Sequence, residues 1–110
     1  MKDKIIPSND SKEINTEGIK VKNFNIPHRE FNNGYVIDCD GEQIAYITDC
    51  GDYTKINKDF SNLSYLFVEC NWDFFRIKQG VITPQKHSIY SFSKVGHMSN
   101  LDALNGIAQW

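Results

Sequence analysis

Histidine is scarce in this 110-residue chain, three in all, and no two stand close enough to grip a metal from one local element. There is no His-x-His and no His-x-x-x-His, so a metal site here has to be assembled from distant segments. Cysteine is equally sparse. Cys39, Cys50 and Cys70 are odd in number, scattered, and without a Cys-x-x-Cys partner. That pattern points to the reduced thiols of a cytoplasmic protein rather than to a disulfide framework, and for Cys50 and Cys70 to buried packing rather than ligation. No run of Lys or Arg exceeds two residues, the net charge is −2 and the pI is near 5.8. A broad basic face for nonspecific nucleic-acid binding is therefore excluded, although a small phosphate-bearing substrate is not. No apolar stretch approaches the roughly 20 residues that a membrane helix needs, so no membrane partner is expected. The opening segment, Met-Lys-Asp-Lys-Ile-Ile-Pro, has too short an apolar core for a signal peptide. There is no internal repeat and no low-complexity tract.

What is present is the material of one small domain. Hydrophobic residues make up 40%, charged residues 24% and aromatics 13%, ordinary proportions for a folded soluble chain. Residues 7–17 hold a single apolar side chain, Ile14, so residues 1–17 read as a polar lead or linker and 18–110 as the domain. Ile19, Val21, Phe24 and Ile26 form a broken alternation, which predicts a strand with one irregularity. Gly34 to Cys39 predicts a strand, and Asp40-Gly41 a type I′ hairpin turn, since both residues tolerate positive φ. The returning strand spans Glu42 to Asp49. Lys55 to Phe60 reads as a helical turn. Leu63 to Cys70 reads as a strand whose continuous Leu66-Phe67-Val68 run predicts burial on both faces. Phe74 to Gln79 predicts a short helix stopped by Gly80. The last helix starts at Ser99, three residues before Asp102 as in a capping box. Its expected apolar face is Leu101, Leu104, Ile107 and Ala108. Trp110 at the final position leads to the expectation that the domain continues further.

Three segments carry residue types that ligate metals: His28 in Ile-Pro-His-Arg, Asp49 in Ile-Thr-Asp-Cys-Gly, and His97 in Val-Gly-His-Met-Ser-Asn. Asp49 closes the apolar run Ile44 to Ile47, so its carboxylate is expected at the tip of a buried strand. Neutral imidazole with ionised carboxylate suits zinc, manganese or iron. Glu69 and Asn71, at the end of another strand, have two readings: orienting the ligating imidazoles, or satisfying backbone groups at the strand end. His87, in Pro-Gln-Lys-His-Ser, is expected on the surface.

Taken in order, Gly-Tyr-Val-Ile-Asp with Asp-Gly, Ile-Thr-Asp-Cys-Gly, Leu-Phe-Val-Glu-Cys-Asn-Trp-Asp and Val-Gly-His-Met-Ser-Asn resemble the second half of a metallo-β-lactamase-fold hydrolase. The branch it resembles is that of bacterial and phage proteins akin to tRNA-maturing endonucleases and cyclic-nucleotide phosphodiesterases, and the resemblance covers roughly residues 19 to 109. It implies an α+β fold, half of an αββα sandwich: a mostly antiparallel sheet with a C-terminal helix. It also implies two metals, zinc or manganese, with His28 on the first, Asp49 bridging, and His97 on the second. Ser99 and Asn100 would contact substrate, a phosphate-ester small molecule or an RNA end. The family's His-x-His-x-Asp-His motif lies upstream of everything matched, and no residue here stands for it. Trp72 stands where related sequences often carry a histidine, so that proton-transfer role is absent or filled differently. The expectation is a fragment inactive by itself, completed by a complementary chain or a homo-oligomer. The alternative is a catalytically dead remnant acting as a binding module, through a sheet face left bare.

Overall fold

Two tight turns organise the first half of the chain, and in each the second residue is glycine. At Asp40-Gly41 both φ angles are positive, 53° and 83°, as a type I′ turn requires. Glu17-Gly18 adopts the same pattern, with φ of 49° and 84°. A computed structural model describes residues 13–56, 58, 60–80 and 96–110. Its strands are β1 (Glu13–Thr16), β2 (Ile19–Ile26), β3 (Asn32–Cys39), β4 (Glu42–Ile47) and β5 (Tyr65–Val68). They lie in sequence order across one sheet. Neighbours from β1 to β4 pair antiparallel, and β5 joins β4 in parallel. A 3-10 turn at Tyr53–Lys55 lies in the crossover, and the helices α1 (Phe74–Lys78) and α2 (Asn100–Gln109) follow β5. The protein is a small α+β domain with a five-stranded mixed sheet and a C-terminal helix. No helix among the described residues is long and apolar enough to cross a membrane.

The core occupies one face of the sheet. Phe24, Ile26, Ala45 and Ile47 point from β2 and β4 into a cluster with Cys50, Ile56, Phe60 and Met98. Full burial of a side chain such as Ile47 contributes on the order of 2 kcal/mol. Trp110 closes the far side, its ring edge-on to Phe60 at 5.3 Å and to Tyr53 at 6.5 Å. α2 starts as expected: Ser99 Oγ accepts from Asp102 N, and the Asp102 carboxylate returns to the Ser99 N–H, completing the capping box. α1 is capped by Asp73 and followed by Gly80 at φ 71°.

Several expectations need correction. Residues 13–16 are not linker: the Glu17-Gly18 turn folds them back onto β2 as an edge strand. β2 has no irregularity, since Ile19 to Ile26 pair in unbroken register with Cys39 to Asn32. The break in its apolar alternation has another cause. Phe24 and Ile26 face the core, whereas Ile19 and Val21 lie on the opposite face. β3 begins at Asn32 rather than Gly34, and β4 ends at Ile47 rather than Asp49. The helical turn sits at Tyr53–Lys55, and Ile56 is already extended. β5 is buried on one face only: Leu66 and Val68 turn towards the core, while Tyr65 and Phe67 are 58% and 56% exposed. α2 buries Ala103 and Gly106, leaving Leu104 and Ile107 exposed. Its inner face has to be small, because a Cβ on Gly106 would lie 3.1 Å from the Trp110 ring and 3.2 Å from the Tyr53 Cβ.

Candidate metal centre

Strand direction decides what meets at one edge of the sheet. β2 and β4 both run antiparallel to β3, and β5 runs parallel to β4, so the C-terminal ends of β2, β4 and β5 share an edge. His28 comes two residues after the end of β2, Asp49 two after β4, and Glu69 directly after β5. His97 arrives from the segment that leads into α2.

Backbone and amide contacts pin these segments together. Gly51 N–H donates to Pro27 O at 2.8 Å, tying the loop after β4 to the residue before His28. Asn32 Nδ2 donates to Thr48 O at 2.7 Å and to Asp49 O at 3.2 Å, bracing the same loop from the start of β3. The stretch before α2 lies beside residues 71–72, where Asn71 N–H donates to Met98 O and Asn100 N–H to Trp72 O. The Trp72 indole N–H donates to His97 O at 3.0 Å. Trp72 therefore holds the His97 backbone in place, a role with no local signature in the sequence.

The side chains converge. Ligand atoms of His28, Asp49 and His97 all lie within 4.8 Å of one another. The two imidazole rings stand 5.6 Å apart at a 60° tilt, and Asp49 Oδ1 is 3.3 Å from His97 Nδ1. Asp49 has φ of 52°, a left-handed conformation that Asp tolerates better than most residues but that still carries strain. Strained backbone of this kind gathers at functional sites. The edge is open on one side: the Asp49 side chain is 51% exposed and that of His97 25%.

Behind the ligands sits Glu69, whose side chain is only 6% exposed. Its Oε1 accepts from Cys50 N at 2.7 Å and Met98 N at 3.2 Å, and its Oε2 lies 3.0 Å from His97 Nδ1. With the imidazole proton on Nδ1 facing Glu69, the Nε2 lone pair is left for a ligand, the arrangement common behind metal-bound histidines. His28 is less prepared. Glu30 N–H donates to its Nδ1 at a long 3.3 Å, and ligation requires this weak exposed contact to give way, at a cost of about 1 kcal/mol.

The donor set fits a divalent ion. Two donors about 2.1 Å from one ion are at most about 4.2 Å apart, so closing the observed cluster takes a side-chain adjustment of about half an ångström. Two imidazoles and one carboxylate form a donor set suited to zinc, manganese or iron, with positions left open for water or substrate. All three residues lie within reach of a single ion. Cys50 does not join the cluster: the converging ligand atoms are those of His28, Asp49 and His97, while the Cys50 side chain is fully buried in the core.

The other sequence candidates are committed elsewhere. Ser99 is fully buried, and its hydroxyl is occupied as the cap of α2, so it offers nothing to a substrate. Asn100 Oδ1 accepts from Phe74 N and Leu101 N, which joins the two helices. The Asn71 contact to this region runs through its backbone, and residue 71 is exposed. His87 lies outside the described residues.

Comparisons with known proteins give no family. The chain matches no protein-family model, no curated protein and no solved structure.

Proposed function

We propose that this protein binds a divalent metal ion, zinc or manganese, through His28, Asp49 and His97, and belongs to the phosphodiesterase or nuclease type of metal-dependent hydrolase. One observation carries the metal reading: three ligating side chains from three separate segments converge within 4.8 Å at one sheet edge. The buried Glu69 carboxylate behind His97 strengthens it. The hydrolase reading rests on the motif order that resembles metallo-β-lactamase-fold enzymes, and on the half-exposed Asp49, which leaves a substrate free access. When bound, such an ion acts as a Lewis acid on a phosphoryl oxygen and activates water near neutral pH. The chain's own residues do the rest: Glu69 holds the Nδ1 proton of His97, and the Asn32 amide fixes the loop that presents Asp49.

Elemental analysis of the purified protein tests the metal reading. Wild type is expected to carry about one equivalent of metal, and Asp49→Ala close to none. Wild type without stoichiometric metal, even after incubation with zinc or manganese, overturns the reading. Hydrolysis of a phosphodiester ester such as bis(p-nitrophenyl) phosphate by the metal-loaded protein tests the chemistry separately. A second reading, a binding module without catalysis, is favoured by the exposed apolar face of the sheet, where Tyr46, Tyr65 and Phe67 stand in solvent.

A further inference from the structure

The sheet has two unlike faces, and the more uniformly apolar of them is the one the core does not use. On the core side, the part of the sheet beyond the helices is polar: Glu13, Lys20, Lys22, Asp38 and Gln43 share that face around Val36. On the opposite side Tyr35, Ile37, Ile44, Tyr46, Tyr65 and Phe67 lie in consecutive cross-strand register on β3, β4 and β5. Tyr46 and Phe67 pack ring against ring at 6.4 Å, yet they remain 45% and 56% exposed, and Tyr65 is 58% exposed. A shallow depression of about 390 Å³ lies among five of these six side chains. The one charge in phase with them on β4 is Glu42, at the rim beside the Asp40-Gly41 turn.

We infer that this face is a homodimer interface, covered by the same face of a second copy of the chain. Area supports it. The face crosses all five strands, because Val21 and Ile14 continue the Ile37 row onto β2 and β1. Strands about 4.8 Å apart and roughly six residues long then span about 24 by 20 Å, roughly 500 Å² of flat area per copy. Doubled across an interface this reaches about 1,000 Å², the lower bound for a specific protein–protein contact. Charge supports it as well. A face with no charge in its centre meets its own copy without repulsion, although the whole chain is net negative. Self-complementarity is what a two-fold interface demands. Shape selects a sheet over a helix. Two identical twisted sheets match in hand and curvature and stack about 10 Å apart with strands near 30°. A single helix, about 10 Å wide, would leave most of the five strands wet.

The inference is independent of the metal reading, because the six side chains project from the face opposite to the core and none of them is a ligand or touches one of His28, Asp49 and His97 through a hydrogen bond or ion pair. Sedimentation velocity of the full chain tests it over a broad micromolar range. Wild type is expected to sediment at twice the 12.7 kDa of one chain. Phe67→Lys and Tyr46→Lys, at positions already exposed, are expected to shift dimer dissociation about tenfold or more towards monomer, with circular dichroism and metal content unchanged. Leu104→Lys, on the exposed side of α2, serves as the control and leaves the dimer intact. A wild-type monomer throughout the range overturns the inference. So does a dimer that withstands both sheet variants, or one that Leu104→Lys dissociates. Recovery of this chain only as a one-to-one complex with a different polypeptide overturns it too.

Discussion

Glu69 links three segments through one carboxylate: the loop after β4 at Cys50, the approach to α2 at Met98, and the imidazole of His97. Each N–H loses its partner if the acceptor goes, and hydrogen bonds to charged acceptors contribute about 1.5–3 kcal/mol apiece. Glu69→Gln keeps the volume but supplies one acceptor oxygen in place of two. It is expected to lower the urea-unfolding free energy by about 2 kcal/mol and to weaken metal binding by about 10–100-fold in titration calorimetry. Unchanged metal affinity would remove Glu69 from the centre. Cys50, beside it in the fold, makes a pH prediction. Its thiol stays neutral until about 12 in the folded chain, against an ordinary value of 9.0. Between those two values unfolding releases a proton, so stability is complete below about pH 9 and falls as pH rises through the window. The slope is at most about 1.4 kcal/mol per pH unit. Comparing unfolding free energies of wild type and Cys50→Ala from neutral to alkaline pH isolates it, because other titrating groups are common to both.

At the scale of elements, β2 and β3 approach closely at one point. A Cβ on Gly34 would overlap the Phe24 ring and come within 2.9 Å of Ile26 Cδ1, both core residues. Gly34→Ala is therefore expected to destabilise the fold by about 1–3 kcal/mol, read as an earlier denaturant midpoint. A substitution without effect would show that the Phe24 ring moves freely. Elements whose signals are local were legible before folding. Asp40-Gly41 announces its turn because the two residues tolerate the φ angles it needs, and Ser99 with Asp102 announces the start of α2 because both partners sit within one turn. β1 has no such signal although Glu17-Gly18 makes the same turn, because its strand carries only Ile14 as an apolar residue. The buried face of α2 departs from its apolar pattern for a different reason. Apolar size points to Leu104 and Ile107, but the close approach of Trp110 and Tyr53 admits only Ala103 and Gly106.

At the scale of the whole molecule, the described residues leave Tyr46, Tyr65 and Phe67 of one sheet face exposed to water. If that face pairs in solution, the thermal midpoint of wild type rises with protein concentration by mass action, and that of Phe67→Lys does not. Differential scanning calorimetry at several concentrations reads this directly. The run Leu66-Phe67-Val68 shows why one chain's sequence misleads here. Continuous apolarity promises burial on both sides, and the second side depends on a layer that the described residues of this chain do not supply.

The sequence by itself determined what neighbours along the chain decide: the Asp40-Gly41 turn, the capping box, and the presence of two imidazoles and a carboxylate able to ligate. Only the tertiary structure decided that those three meet. His28 and His97 lie far apart in the chain; strand direction carries the ends of β2, β4 and β5 to one edge, and the contacts of residues 71–72 with His97, Met98 and Asn100 bring the second imidazole there. It also decided that the Ser99 hydroxyl and Asn100 Oδ1 accept from the backbone at helix starts, and that Trp72 holds the backbone of His97. The physical reason is range. Turn and cap energies act over a few residues, whereas convergence and burial depend on how whole elements pack.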